Sequence, residues 1–323
     1  MIKNNLIHPT SIIEGAQIAA DTRIAPWVII LPGTQIGKAG LIEPHCFIES
    51  NVTIGNGVKV MSGVYIGKNV KIAEDVTIGP NVSIAHASVL GFSEFPQEPR
   101  ETVIESGVSI EPNVVLHSGI RVGANAQIKA GSVVTKSVPP GSIVDGSPAK
   151  ISGYINNVVY QEGIDKSISG AINTSGSRMQ KIGVGDAALH ILKLVEDMRG
   201  NLSVGQFLDD IPFIPKRYFL ILNVPSTEAR GEHAHKKCKQ FLICIEGQCS
   251  VVVDDGNIRK EVLLNAPNKG LYIPEYIWGI QYKYSADAKL LVFASEYYEE
   301  SDYIRDYTQF IDIRQAYKKK SAS

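Results

Sequence analysis

Two histidines one residue apart, His233 and His235, lie in the run Arg230-Gly231-Glu232-His233-Ala234-His235-Lys236-Lys237. On a strand, residues i and i+2 project from the same face, so this spacing brings two imidazoles to one surface. Imidazole titrates near neutral pH and is suited to moving protons. The competing use is a metal site, which needs three or four good ligands. The position where an acidic ligand would follow the pair holds Gln240, and the later run Gly270-Leu271-Tyr272-Ile273-Pro274-Glu275-Tyr276-Ile277-Trp278-Gly279 contains no histidine. Two imidazoles and an amide make a poor cage, so no metal is expected and the pair is left for acid/base work.

The elements that must carry this pair are short β-rich runs in the second half, including Tyr218–Leu222, Gln240–Ile245, Cys249–Val253, Lys260–Leu264, Gly270–Ile273 and Leu290–Ala294. Turn signals such as Glu246-Gly247 and Asp254-Asp255-Gly256-Asn257 separate them, a pattern of an antiparallel sandwich or barrel. Ala187–Val195 also has helical propensity.

The first half is organised differently. Isoleucine or valine recurs every six residues from Ile12 to Ile84, through Ile18, Ile24, Ile30, Ile36, Ile42, Ile48, Ile54, Val60, Ile66, Ile72 and Ile78. A sustained hexapeptide period specifies a parallel β-helix. Glycine at corners such as Ile36-Gly37 and Ile54-Gly55 is expected to serve turns. The period fails after Ile84, resumes at Ile104 and runs through Ile110, Leu116, Val122, Ile128 and Val134. Counted from Leu90, the resumed series is two residues out of phase, so a loop rich in Pro, Glu and Ser is extruded between the two series. Loops on rigid scaffolds concentrate function, which makes His86, just before the break, and His117, after it, site candidates. With three hexapeptides per coil the repeats make six to seven coils, a prism roughly 30 Å long at strand spacing. Pro139-Pro140 and the residues to Lys150 cap it. Residues 154–183, rich in Ser, Gly and Asn, read as a linker, dividing the chain into domains 1–153 and 184–323.

A net charge of -1 leaves no basic stripe for nucleic acid. No run of 18 apolar residues suggests a membrane span, and no signal peptide is evident. Four cysteines without a CxxC pair fit a reducing, cytoplasmic setting.

The ending Val134-Thr-Lys-Ser-Val-Pro-Pro-Gly-Ser-Ile-Val-Asp-Gly-Ser-Pro-Ala-Lys150, with the hexapeptides, resembles left-handed β-helix acyltransferases, above all nucleotide-linked amino-sugar N-acetyltransferases. The left hand of the helix is implied by that resemblance alone. So are acetyl-CoA as co-substrate, CoA contacts at Gly119, Ala130, Gly131, Lys136 and Lys150, and a homotrimer with CoA between neighbouring prisms.

The second half resembles cupin-type dTDP-4-keto-6-deoxyhexose 3,4-ketoisomerases through Asp197-Met-Arg-Gly-Asn-Leu202, Ile211-Pro-Phe213, the His233/His235 run, Val251–Gly256, Gly270–Trp278 and Glu296–Tyr307. The resemblance implies that His233 and His235 are the acid/base pair. It also implies that Arg217, Arg230 and Gln240 contact the nucleotide diphosphate and that Trp278 offers a surface to base or sugar. Relatives often carry histidine after the tryptophan; here Gly279 stands there. The expected fold class is all-β, a left-handed parallel β-helix followed by an antiparallel cupin-like barrel. The expected function is 3,4-ketoisomerisation of dTDP-4-keto-6-deoxyglucose and acetylation of a dTDP-3-amino-3,6-dideoxyhexose, steps separated by an aminotransferase. The partners are dTDP-linked keto and amino sugars and CoA, in a trimer or hexamer. The alternatives are one catalytic domain with an assembly module, or a nucleotide-sugar binding protein.

Overall fold

The computed structural model describes residues 6–84, 101–155, 171–172, 178–226 and 228–321. The chain forms two compact units, Met1–Asn156 and Asn157–Ser323.

In the first unit nearly every hexapeptide gives a two-residue strand, and strands eighteen residues apart pair in parallel, as in Arg23 with Leu41, Leu41 with Lys59 and Lys59 with Thr77. Three sheets result, and the seven strands of one, from Ile12–Ile13 to Val133–Val134, correspond to seven coils. The second residue of each two-residue strand points inward; Ile30, Ile42, Ile48, Val60, Ile66, Ile78 and Ile84 are all 0% exposed. The first rung differs from the sequence reading. Ile13, not Ile12, pairs with buried Ile30, and Ile12 faces outward, 51% exposed.

The break also resolves differently. Ile72 pairs with Ile104 and Ile84 with Leu116, so among the described residues Ile104 is the next rung after Ile84; Leu90, the origin of the phase count, lies outside the described residues. The corner glycines divide into two kinds. Gly57, with φ +69°, occupies the left-handed position of its corner. Gly37 and Gly55 do not; a β-carbon on either would lie 2.7 Å from backbone of the next coil. Close approach between coils, not unusual φ, requires glycine there.

The outward residues distinguish the faces. One sheet presents Ile12, Ile29, Phe47, Tyr65, Ser83, Val115 and Val133, with the Phe47 and Tyr65 rings stacked at 5.9 Å. The other two present mostly Arg, Lys, Gln, Thr and Ser, for example Arg23, Lys59 and Gln127 on one and Gln35, Lys71 and Arg121 on the other. At the C-terminal end Ser142–Gly146 joins the stack beside Gln127–Ile128, and Ala149–Tyr154 turns back antiparallel to it.

The second unit packs a seven-stranded antiparallel sheet against a five-stranded one. Leu242, Leu271 and Leu290 from the first and Val251, Val253 and Val262 from the second build the core. Ala188–Ile191 is a strand paired with Lys269–Ile273, not the start of a helix; pairing on both sides outweighs its local helical propensity. Arg178–Lys181, inside the stretch expected to be linker, is a strand paired with Ala188–Ile191. The α-helix among the described residues is Tyr307–Ser321, whose Phe310 is fully buried. No helix among the described residues is long and apolar enough to cross a membrane.

Candidate active site

The histidine pair is placed by a β-bulge. Strand Arg230–His235 pairs with Trp278–Tyr282, Gly231 opposite Ile280 and His233 opposite Gly279, with Glu232 the extra residue. Gly231 has φ +87° and Glu232 φ +52°, the local twist by which a bulge re-aims the following side chains. Beyond it His233 and His235 share a face as expected, their ring centroids 4.9 Å apart.

Their hydrogen bonds form a chain. His233 Nδ1 lies 2.8 Å from the Gly231 carbonyl oxygen, and the Nε2 atoms of the two rings are 3.2 Å apart. His235 Nδ1 lies 2.8 Å from Asp302 Oδ2, and Gln240 Nε2 is 3.1 Å from His235 Nε2. Asp302 is itself held, its Oδ1 accepting from the Lys237 backbone N–H at 2.8 Å and its Oδ2 from that of Cys238 at 3.3 Å. It arrives through the short strand Tyr303–Ile304, which pairs with Ala234 and His235.

His233 opens onto a cavity of about 410 Å³. Arg230, Gln240, Gln281 and Tyr303 give it polar groups, and Phe219, Ile221 and Val292 give it apolar walls. A volume of this size suits a small ligand with a few convergent polar groups. His235 stands behind His233, 5% exposed. Burial, and then the neighbouring His235, push the His233 imidazole down to about 4. Burial also lowers His235, with Asp302 acting against it. At neutral pH both rings are therefore bases rather than cations.

The structure brings His233, Arg230 and Gln240 to one cavity and places His235 against His233. Gln240, expected at a diphosphate, bonds His235. Arg217 donates to the Glu296 carbonyl oxygen at 3.0 Å and to the Tyr303 hydroxyl at 3.3 Å, so it steadies a cavity residue. Trp278 needs correction as a ligand surface. It is 3% exposed and packs against Tyr307 and Phe310 of the C-terminal segment. Strand alternation turns it away from the cavity and turns Gln281 toward it. Gly279 borders a small recess beside both histidines, and a β-carbon there would meet nothing closer than 3.7 Å.

Asp302, Tyr303 and Gln281 were missed in the sequence. Asp302 is one of several acidic residues in Glu299-Glu300-Ser301-Asp302-Tyr303-Ile304-Arg305-Asp306, and nothing local singles it out. His235, Cys238 and Asp302 have donor atoms within 4.8 Å of one another. Asp302 is already engaged by three N–H donors, and burial pushes the Cys238 thiol up, away from thiolate, so the trio is poorly prepared for a metal.

In the first unit, His86 lies outside the described residues. His117 is half-buried and follows strand Val115–Leu116. Gly119 is also half-buried; its N–H donates to Thr102 Oγ1 at 2.8 Å. Ala130 and Gly131 lie at the corner after Gln127–Ile128, Ala130 N–H donating to Glu111 Oε2 at 3.1 Å and Gly131 N–H to the Pro112 carbonyl oxygen at 3.0 Å. Lys136 and Lys150 are exposed. These candidates occupy three corners, Lys136 at the one after Val133–Val134, and the terminal hairpin, which holds Lys150.

The solenoid and the histidine-bearing double sheet are two different classes of domain, and comparison with known proteins assigns each to a family. Residues 185–315 match the family described as WxcM-like, C-terminal. Residues 45–74, 57–91 and 101–136 match the bacterial transferase hexapeptide (six repeats). A TDP-4-oxo-6-deoxy-alpha-D-glucose-3,4-oxoisomerase of Aneurinibacillus thermoaerophilus is 43% identical over 118 residues, 36% of this chain and 85% of that protein. A dTDP-3-amino-3,6-dideoxy-alpha-D-galactopyranose 3-N-acetyltransferase of the same organism is 40% identical over 149 residues, 46% of this chain and 78% of that protein. A crystal structure of a 3,4-ketoisomerase from Helicobacter canadensis is 39% identical, covering 40% of this chain and 98% of that one, with a TM-score of 0.39. The chain belongs to the WxcM-like oxoisomerase family through its second half and to the hexapeptide-repeat transferases through its first.

Proposed function

We propose that the chain carries two steps toward a dTDP-3-acetamido-3,6-dideoxyhexose: 3,4-ketoisomerisation of dTDP-4-keto-6-deoxyglucose, and N-acetylation of the dTDP-3-amino sugar that an aminotransferase makes from the product. The observation that carries the reading is the Asp302–His235–His233 chain ending at a cavity that also presents Arg230. Isomerisation moves a carbonyl from C4 to C3. A base takes the C3 proton, the C3–H electron pair becomes the C3=C4 bond, and an enediol forms. Loss of the O3 proton and protonation at C4 complete it, with O4 gaining a proton. Depressed basicity keeps His233 unprotonated and ready to accept. Arg230, exposed at the cavity, suits the diphosphate, and the chemistry needs no metal.

In the transferase half the sugar amine attacks the acetyl-CoA thioester carbonyl, the C–S bond breaks and CoA leaves as the thiol after proton transfer. His117 and His86 are the candidate proton acceptors, and Gly119, Ala130, Gly131, Lys136 and Lys150 the candidate CoA contacts. The apolar face bearing Ile29, Phe47, Tyr65 and Val115 supports burial against a second copy in a homotrimer. On the barrel, Leu202, Val204 and Phe207 near one hairpin and Tyr218, Leu220 and Leu222 on the edge strand are exposed, which supports pairing of barrels into a hexamer. Four free, buried cysteines suit a reducing cytoplasm.

The test supplies the full chain with the 4-keto substrate, an aminotransferase and acetyl-CoA, and identifies the product by mass spectrometry and NMR. Replacing both histidines, His233→Asn with His235→Asn, is expected to abolish isomerisation and leave acetylation of the amino sugar intact. Isomerisation without acetylation would reduce the first unit to an assembly module, and persistent C3 deuterium exchange in the double variant would sink the histidine assignment.

A further inference from the structure

The contacts of the two imidazoles fix where their hydrogens are. The Gly231 carbonyl oxygen and the Asp302 carboxylate, held by backbone N–H groups, can only accept. Both Nδ1 atoms therefore carry hydrogen, and each neutral ring keeps its lone pair on Nε2. The two Nε2 lone pairs come within 3.2 Å, and that of His235 also accepts from Gln240 Nε2 at 3.1 Å. With no proton between them they repel; with one, they make an N–H···N hydrogen bond assisted by charge. The spacing admits a single shared proton between them. His233 lines the cavity, while His235 lies behind it with Gln240 and Asp302.

We propose that His233 and His235 act as one acceptor for one proton, completed by the proton taken from substrate, and that Asp302 is a positioning residue that holds His235 in the tautomer this requires. The proposal rests on the ketoisomerase reading. In the forward step the C3–H bond breaks, its electron pair forms C3=C4 as the C4=O π pair moves onto O4, and the proton bonds to His233 Nε2 while His235 Nε2 accepts from it. In the return step the C3=C4 pair takes the proton at C4 as C3=O forms. The O3 hydroxyl proton passes to O4, so no other reactant is consumed. Burial alone would leave His233 a weak base. Relief of the facing lone pairs returns basicity only when the proton is accepted.

The charged and titratable groups around the pair fit one proton and not two. Asp302 favours the first. Arg217 and Arg305 oppose positive charge on His235, and Arg305 opposes it on His233. Tyr303 packs on both rings, at 4.9 Å from His233 and 4.4 Å from His235, Cys238 lies beside His235 with its thiol pushed up, and Gln240 and Gln281 are neutral.

The experiment is nitrogen NMR of the full chain labelled with ¹⁵N-histidine, the lines of the pair assigned by their loss in His233→Asn and His235→Asn. At neutral pH both rings are expected to show a protonated Nδ1 and a bare Nε2, and acidification should move both Nε2 lines in one step of one proton. Asp302→Asn should shift His235 toward the Nε2–H tautomer and lower kcat by about 100-fold, the scale of a lost acid/base contribution, with KM within twofold. An Nε2–H on either resting ring would overturn the proposal, as would two separate protonation steps. A slowed Asp302→Asn with an unchanged His235 tautomer would also overturn it, because Asp302 would then be only a packing residue. If the tautomers are as expected and the native chain does not isomerise the sugar, the functional reading fails and the proton arrangement stands.

Discussion

Replacing Gly231 with alanine should disable the isomerase half without removing any group that carries a proton. The residue has φ +87°, and a β-carbon would sit 2.6 Å from the Gly279 carbonyl oxygen and 3.0 Å from the Gln281 side chain. A left-handed conformation costs an alanine about 1–2 kcal/mol, and forcing a methyl into packed surroundings costs about 1–3 kcal/mol. The total, about 2–5 kcal/mol on those two principles, is relieved most directly by parting Arg230–His235 from Trp278–Tyr282 at the bulge. That motion carries the Gly231 carbonyl oxygen, which holds His233 Nδ1 at 2.8 Å. A displacement near 1 Å at a reacting group costs on the order of 100-fold in rate. We expect Gly231→Ala to lower kcat of ketoisomerisation by about that factor, measured by NMR of sugar turnover. In calorimetry of the full chain, the barrel should melt earlier and the solenoid at its native temperature. A lowered barrel melting temperature with a native rate would refute the claim that the bulge positions His233. No change in either would refute the steric argument itself.

The apolar solenoid face should hold copies of the chain together. Phe47→Asp with Tyr65→Asp is expected to give monomers by light scattering while circular dichroism still reports the β-helix, and a retained trimer would move the interface elsewhere. Ile66→Ala removes a fully buried rung and should cost about 2–5 kcal/mol of solenoid stability, read by denaturant melts; a loss below about 1 kcal/mol would mean the ladder is not close-packed. For pH, His233 is depressed from 6.5 to about 4 in the folded chain, so the unfolded chain binds its proton first. The stability this contributes is fully present above pH 6.5 and is lost as pH falls through about 4. The barrel should therefore melt progressively earlier below pH 6.5, and His233→Asn should flatten that dependence. An unaltered acid slope in that variant would assign it to other groups.

Much of the fold was legible because its constraints are local and periodic. One inward residue in six, repeated past the break, permits a solenoid and little else. The spacing of His233 and His235 gave their common face, since alternation is a property of the strand itself. The finer assignments failed where phase or distance had to come from packing. Ile12 and Ile13 are identical side chains, and only pairing with Ile29 and Ile30 decides which is the rung. Gly37 and Gly57 are both corner glycines, and only the next coil shows that one answers to contact and the other to φ. The ketoisomerase resemblance implies a ligand surface at Trp278; the sheet turns it under Phe310 instead. The sequence by itself determined a hexapeptide solenoid, a β-rich second half and a paired imidazole. Only the tertiary structure decided that Asp302, 67 residues from His235, completes the site. Its selection depends on a strand returning alongside Ala234 and His235, and no local pattern distinguishes it from its acidic neighbours.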